Sequence, residues 1–181
     1  MVIATRMTAA ELELWPDGEG KQELIRGTLI EMSPPGGEHG RIAAVLGGLL
    51  WSFVRDRHLG VVMVESGFVL ERDPDTVCGP DVAFVRAERL PDTGVPQSFW
   101  EGSPDLAVEI LSSSERRAQI ARKMDIYRAT GTRLIWCVDP RRRTVSVHAP
   151  GRPTRVLSAG DSLDGEEVLP GLVIPLSEVF G

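Results

Sequence analysis

The sequence predicts an α/β or α+β fold, in which helices pack on a β-sheet. Residues 39–57 carry apolar side chains at helical spacing, which predicts one long amphipathic helix. Short apolar runs rich in valine follow, and such runs are typical of buried strands. A strand, a helix and a strand then succeed one another between residues 106 and 138, an order typical of a sheet with helices on its faces.

Length, composition and charge exclude several classes of protein. The chain has 181 residues, 42% of them hydrophobic and 25% charged, which favours one globular domain over residues 1–181. No apolar run approaches the roughly 20 residues of a membrane helix, and the N-terminus lacks a signal-peptide pattern, so we expect a cytoplasmic protein with no membrane partner. Cys78 and Cys137 are too few for a disulfide framework, and we expect both to be buried. The net charge of −6 argues against broad electrostatic binding of nucleic acid.

The N-terminal part predicts a short helix followed by a hairpin. Residues 8–11, Thr-Ala-Ala-Glu, have the form of a capping box and open a helix that Pro16 ends. Two apolar runs, residues 23–25 and 28–32, are separated by Arg26 and Gly27, which indicates a hairpin with glycine in its turn.

The remaining chain alternates strands with one further helix. Residues 87–104 carry proline and glycine and are expected to form a loop. Residues 112–115 offer a second capping box, which opens a helix that Gly131 ends. Residues 156–180 indicate short strands and turns, with residues 169–171, Leu-Pro-Gly, separating the last two strands. The predicted strands of this part are residues 61–65, 67–70, 81–85, 106–111, 133–138 and 144–148.

Glu109 is the most informative single residue. Period-two alternation places Val108 and Ile110 on one face of its strand and Ala107 and Glu109 on the other. An ionised carboxylate among apolar neighbours loses its hydration unless a positive group meets it. Three interpretations remain open: a salt bridge inside the fold, a strand end that reaches solvent, or a functional acid.

Asp81 and Lys123 are the next candidates. Asp81 follows Pro80 at the entrance of a strand, although a Pro-Asp pair is also common turn chemistry. The chain has 18 arginines and only two lysines, so each lysine is informative. Lys123 shares a helix stripe with Ile120 and Tyr127, and its alternative interpretation is a lysine whose stem packs while its ammonium stays solvated.

Two carboxylates and a lysine suit phosphoryl chemistry. Carboxylate oxygens are the usual protein ligands of Mg²⁺, which keeps several waters and is completed by substrate phosphates. A nearby lysine can stabilise the charge that develops on a phosphate.

Eight short motifs lie in order along the chain: residues 23–27, 33–35, 38–39, 80–85, 104–112, 123–127, 136–140 and 169–172. Together they resemble a large bacterial family of restriction-endonuclease-like proteins in the PD-(D/E)XK nuclease superfamily. The similarity covers nearly the whole chain, and its strength lies in the order and spacing of motifs that are weak singly. It implies a restriction-endonuclease-like fold: a central mixed sheet flanked by helices, with extra N-terminal and C-terminal hairpins and a metal at the open edge.

The resemblance also implies roles for particular residues. Asp81 and Glu109 match the two acids of the motif, which hold the metal. The motif's lysine is expected two residues beyond the second acid, where this chain has Leu111. Similar family members place the lysine on the next helix, which indicates Lys123. Glu23 matches an acid often found near the metal.

Further positions complete the expected site. His39 matches a family position and is a candidate auxiliary residue, with a purely structural role as the alternative. Arg141, Arg142 and Arg143 are candidate phosphate contacts, although charges at a hairpin tip are commonly just solvated.

These inferences predict a DNA endonuclease that uses Mg²⁺ or Mn²⁺ and hydrolyses phosphodiester bonds with metal- and lysine-activated water. The alternative is a nuclease-fold protein that binds or assembles without cleaving, and a third hypothesis is hydrolysis of a small phosphate ester. A homodimer is expected by analogy of fold alone.

Overall fold

The structure is a computed structural model that describes residues 6–16, 20–112 and 117–181, without the side chain of Arg117. The helices are α1 (Ala9–Glu13), α2 (Gly37–Arg57), α3 (Arg117–Ala129) and α4 (Leu176–Phe180), with a 3-10 turn at Ala87–Arg89. The strands are β1 (Lys21–Ile25), β2 (Thr28–Met32), β3 (Gly60–Val64), β4 (Phe68–Glu71), β5 (Thr76–Cys78), β6 (Val82–Arg86), β7 (Trp100–Glu101), β8 (Leu106–Ile110), β9 (Leu134–Asp139), β10 (Thr144–His148), β11 (Arg155–Leu157), β12 (Ser162–Gly165) and β13 (Leu169–Pro175).

A six-stranded mixed sheet forms the centre, in the order β11-β10-β9-β8-β6-β3. Strands β8 and β9 run parallel, whereas β8 and β6 run antiparallel. On one face, Val108 and Ile110 pack in the same core as Ile42 and Leu46 of α2. The predicted long helix, the predicted alternation of β8 and the expected fold class are therefore confirmed.

A second sheet covers part of the opposite face, in the order β2-β1-β5-β4-β7. Ala107 of β8 packs there with Ile25 of β1, Cys78 of β5 and Tyr127 of α3. Glu109 lies two residues after Ala107 in β8 and therefore on the same face of the strand. This acid is thus enclosed between the central sheet, the second sheet and α3. The single central sheet that we expected did not include this second layer.

The predicted N-terminal elements are confirmed. Thr8 and Glu11 form the capping box of α1, with Glu11 N–H donating to the Thr8 hydroxyl at 3.2 Å. Strands β1 and β2 form the hairpin, and its turn residues Arg26 and Gly27 adopt φ values of 51° and 79°. Consecutive left-handed residues are what a two-residue turn between twisted strands requires, and glycine adopts this conformation without strain.

Several other expectations were wrong. The expected loop 87–104 contains a 3-10 turn and strand β7, which pairs with β4. Residues 169–171 do not separate two strands but belong to the continuous strand β13. Each strand of the β12–β13 ribbon has an open edge, where proline is tolerated, and Gly171 accepts a φ of 84°. Helix α4 was also not predicted.

Three further features are the second capping box, the two cysteines and the lengths of the helices. The second capping box was predicted at residues 112–115, of which 113–115 lie outside the described residues. Cys78 is buried as expected, whereas Cys137 is half-buried. In the described parts of the chain, no helix has the length and apolar character needed to cross a membrane.

Candidate active site

Asp81 and Glu109 come together because strands β6 and β8 are antiparallel neighbours. Val82 pairs with Val108, so Asp81, which directly precedes β6, lies beside the end of β8 that carries Glu109. The N–H of Ile110 donates to Asp81 Oδ2 at 2.6 Å. Both acids are buried, with 5% of each residue exposed.

Lys123 lies between two acids that come from different sheets. Its Nζ is 2.8 Å from Glu109 Oε1 and 2.8 Å from Glu23 Oε1. One helical turn later, the Tyr127 hydroxyl donates to Glu109 Oε1 at 2.7 Å. Residues four apart share a face of a helix, which explains why α3 presents both donors to the same carboxylate.

Glu23 connects the second sheet to the cluster of polar side chains that contains Asp81, Glu109 and Lys123. Besides Lys123, its Oε1 accepts the N–H of Gly79 at 3.0 Å. Gly79 belongs to the segment between β5 and β6 that leads directly to Asp81. The β1 strand therefore helps to place both Lys123 and the Asp81 segment.

Asp81 has two further partners, one of which the sequence analysis missed. His39, in the first turn of α2, places Nε2 3.2 Å from Asp81 Oδ2. Lys21, at the start of β1, places Nζ 3.1 Å from Asp81 Oδ1. The available signals were the rarity of lysine and the position of Lys21 two residues before Glu23, which puts both on one strand face.

The two acids of the pair ionise very differently. Burial raises the pKa of Glu109 to about 7, although the ammonium groups of Lys123 and Lys21 oppose this shift. Burial acts in the same direction on Asp81, but it is outweighed there by the His39 contact, the Lys21 ammonium and the N–H of Ile110. The pKa of Asp81 is therefore lowered to about 2. Burial disfavours the charged form of Lys123, yet Glu109 and Glu23 keep the pKa of this lysine well above its ordinary value.

The cluster borders a cavity of about 600 Å³. One wall comes from the β1–β2 hairpin and the loop that follows it, residues 33–35, and the opposite walls come from α2, α3 and the ends of β6 and β8. The residues of the cluster that line the cavity are Lys21, His39, Asp81, Glu109 and Lys123.

The donor set fits a divalent cation held partly by substrate. No three His, Cys, Asp or Glu side chains converge into a metal site within residues 6–16, 20–112 and 117–181. Mg²⁺ is usually held by one or two carboxylates plus water and substrate phosphate, which Asp81 and Glu109 can provide. With His39 neutral and Glu23, Asp81 and Glu109 ionised, the three carboxylates exceed the ammonium groups of Lys21 and Lys123 by one charge, which favours an added cation.

The arginines of the β9–β10 turn are not part of this cavity. Ile110 pairs with Val138, so the turn follows the end of β9 that lies next to the Glu109 end of β8. Arg142 N–H donates to Asp139 Oδ1 at 3.1 Å, and Arg143 Nη2 donates to the Gly181 carbonyl at 2.8 Å. None of the three arginines is among the described residues that line the cavity.

Comparisons with known proteins agree with this architecture. The sequence model of the family described as "Uma2: Putative restriction endonuclease" matches residues 9–177. A solved structure described as "a putative nuclease belonging to DUF820", from Anabaena variabilis ATCC 29413, is similar with a TM-score of 0.85 and 22% sequence identity. The similarity covers 96% of this chain and 97% of that chain, and at this identity it establishes the fold. No curated protein matches the sequence significantly.

Proposed function

The chain belongs to the Uma2 restriction-endonuclease family, as its motifs indicated, and from this premise we propose that it is a metal-dependent DNA endonuclease. One observation carries the proposal. Two buried acids, Asp81 and Glu109, stand beside each other at one end of the central sheet, with the Lys123 ammonium 2.8 Å from Glu109 and an open cavity in front of them.

In this proposal Asp81 and Glu109 hold Mg²⁺, for which Mn²⁺ can substitute. When bound, the ion polarises a phosphoryl oxygen and lowers the pKa of its water ligand. Hard oxygen donors such as these carboxylates suit Mg²⁺ and Mn²⁺ better than they suit softer metal ions.

The chain's own residues supply position and charge. Lys123 is held by Glu23 and Glu109, so its ammonium is fixed beside the space where a phosphate and a water would react, and there it stabilises the negative charge that develops. Tyr127 fixes the orientation of Glu109 through its hydroxyl. His39 fixes Asp81 and is a positioning residue in this scheme.

A second function is favoured by one feature of the same cluster. Each of the three acids already has a protein cation as partner, which is also how a purely structural ion-pair cluster is built. A nuclease-fold protein that binds without cleaving would keep these contacts. Cleavage therefore has to be measured directly.

Nicking of supercoiled plasmid tests the proposal. Purified protein is incubated with plasmid in Mg²⁺, in Mn²⁺ and in EDTA, and the open-circular product is quantified. We expect nicking that needs the metal and that falls about 100-fold or more in Lys123→Ala, by analogy with the loss of one stabilising donor. Lys123→Arg should not restore the full rate, because a planar guanidinium does not replace an ammonium at a fixed site.

Arg128→Ala is the matched control. Arg128 lies on the same helix, is exposed and pairs with Asp125, so its loss should leave the nicking rate unchanged. Circular dichroism establishes whether each variant is folded. Wild type that never nicks plasmid in either metal contradicts the proposal and favours the binding function, and full nicking by Lys123→Ala removes this lysine from the mechanism.

A further inference from the structure

Lys21 is built into the wall of the cavity. It lies on the same face of β1 as Glu23, because side chains two residues apart in a strand share a face. The aliphatic part of Lys21 packs against Gly79. A β-carbon at position 79 would lie 3.3 Å from Lys21 Cε, which is a tight contact that glycine avoids. Its ammonium then reaches Asp81 Oδ1 at 3.1 Å. The side chain is therefore placed by packing and is not a loose surface group.

The two lysines of the chain differ in what they can still bind. The side chain of Lys123 is 8% exposed and contacts two carboxylates, Glu23 and Glu109. The side chain of Lys21 is 20% exposed, and its one ion pair in the described structure is with Asp81. An ammonium has three donors and Asp81 uses one, so Lys21 presents donors to the open side of the cavity.

The charge of the cavity makes this cation important for an anionic substrate. The cavity is lined by four acids and two lysines. The acids are Glu31, Glu65, Asp81 and Glu109. A phosphodiester entering the cavity meets this excess of negative charge before it reaches Lys123. Among the lysines of the wall, Lys21 is the more accessible counter-charge.

We infer that Lys21 binds a substrate phosphate, donating to non-bridging oxygens of the DNA backbone while it keeps its contact with Asp81. The inference rests on the proposed function and adds to it a substrate-binding residue from the N-terminal hairpin. A lysine binds phosphate as a compact point charge, so this contact supplies affinity without reading base sequence.

The test is DNA binding measured apart from cleavage. Fluorescence anisotropy of a labelled duplex is followed from 50 to 300 mM NaCl in Ca²⁺, and a gel establishes that the DNA stays intact. Lys21→Met should weaken binding about five- to twentyfold, and the slope of log affinity against log salt should fall by about one, because one phosphate contact is lost. Lys21→Arg should stay within about threefold of wild type, which shows that the charge and not the fold is responsible.

Arg26→Met is the matched control, since it removes one positive charge from the opposite end of the same hairpin and should change affinity less than twofold. If Lys21 were merely structural, Lys21→Met would lower the melting temperature and leave the slope of log affinity against log salt unchanged. Wild-type affinity and slope in a folded Lys21→Met protein, together with metal-dependent nicking by wild type, would overturn this inference alone. Wild type that neither binds nor nicks DNA would overturn the proposed function and this inference together.

Discussion

Ionisation of Glu109 should make the stability of the protein fall as the pH rises through neutrality. Burial raises the pKa of Glu109 from 4.5 to about 7, so the folded state holds this proton more tightly than the unfolded state does. The stabilisation from proton binding is complete below pH 4.5 and is lost as the pH rises through 7. A shift of this size corresponds to about 3 kcal/mol, at about 1.4 kcal/mol per pH unit.

Glu109→Gln removes this titration and keeps the shape of the side chain. Most of the effect, about 2 to 3 kcal/mol, falls between pH 5 and pH 8. At roughly 2–4 °C per kcal/mol for a chain of this size, wild type should lose about 5–10 °C more than Glu109→Gln over that interval. Because both proteins share every other titrating group, the difference between their melting curves isolates Glu109.

The assay is thermal unfolding of metal-free protein, followed by circular dichroism in EDTA at several pH values. Glu178→Gln, an exposed and isosteric change on α4, should follow the wild-type profile. Parallel pH profiles for wild type and Glu109→Gln would contradict this prediction, since they would mean that Glu109 is solvated or fully compensated in the folded protein.

Two further predictions concern the same pair of acids. Asp81 has the opposite sign: its pKa is lowered from 3.8 to about 2, so its stabilisation is present above pH 3.8 and is lost as the pH falls through 2. Asp81→Asn should therefore unfold about 5 °C below wild type at pH 7 in a thermal melt, corresponding to about 2 kcal/mol, and an unchanged midpoint would contradict this. Mn²⁺ at a hundred times its dissociation constant should stabilise wild type by about 2.7 kcal/mol and raise its melting temperature by several degrees. Glu109→Gln should show little of this rise, and an equal rise in both proteins would place the metal elsewhere.

Local signals in the sequence were sufficient for the elements whose pattern is strong. Helix α2 follows from the helical spacing of its apolar residues, and the β1–β2 hairpin follows from Arg26 and Gly27 in its turn. Strands β5 and β7 are three and two residues long, so no periodicity can reveal them, and both depend on pairing with β4. At the C-terminus, pairing of β13 with β12 overrode the local break signal of residues 169–171.

The site shows the same division. Glu109 could be identified because a charged side chain interrupts an apolar strand, which is a purely local anomaly. Lys21 had only weak signals, the rarity of lysine and its place on the strand face of Glu23, and neither indicates its partner Asp81, which is 60 residues away in the sequence. The burial that raises the pKa of Glu109 depends on the second sheet, whose assembly through β5 was also not predictable.

A metal centre formed by Asp81 and Glu109 can be observed directly in a crystal structure of the protein soaked in Mn²⁺, with anomalous diffraction recorded to locate the ion. This metal centre predicts an anomalous peak within about 2.5 Å of carboxylate oxygens of both residues, with Lys123 still beside Glu109. The absence of a peak between these two acids at a saturating Mn²⁺ concentration, with the Lys21–Asp81 and Lys123–Glu109 ion pairs unchanged, would contradict it.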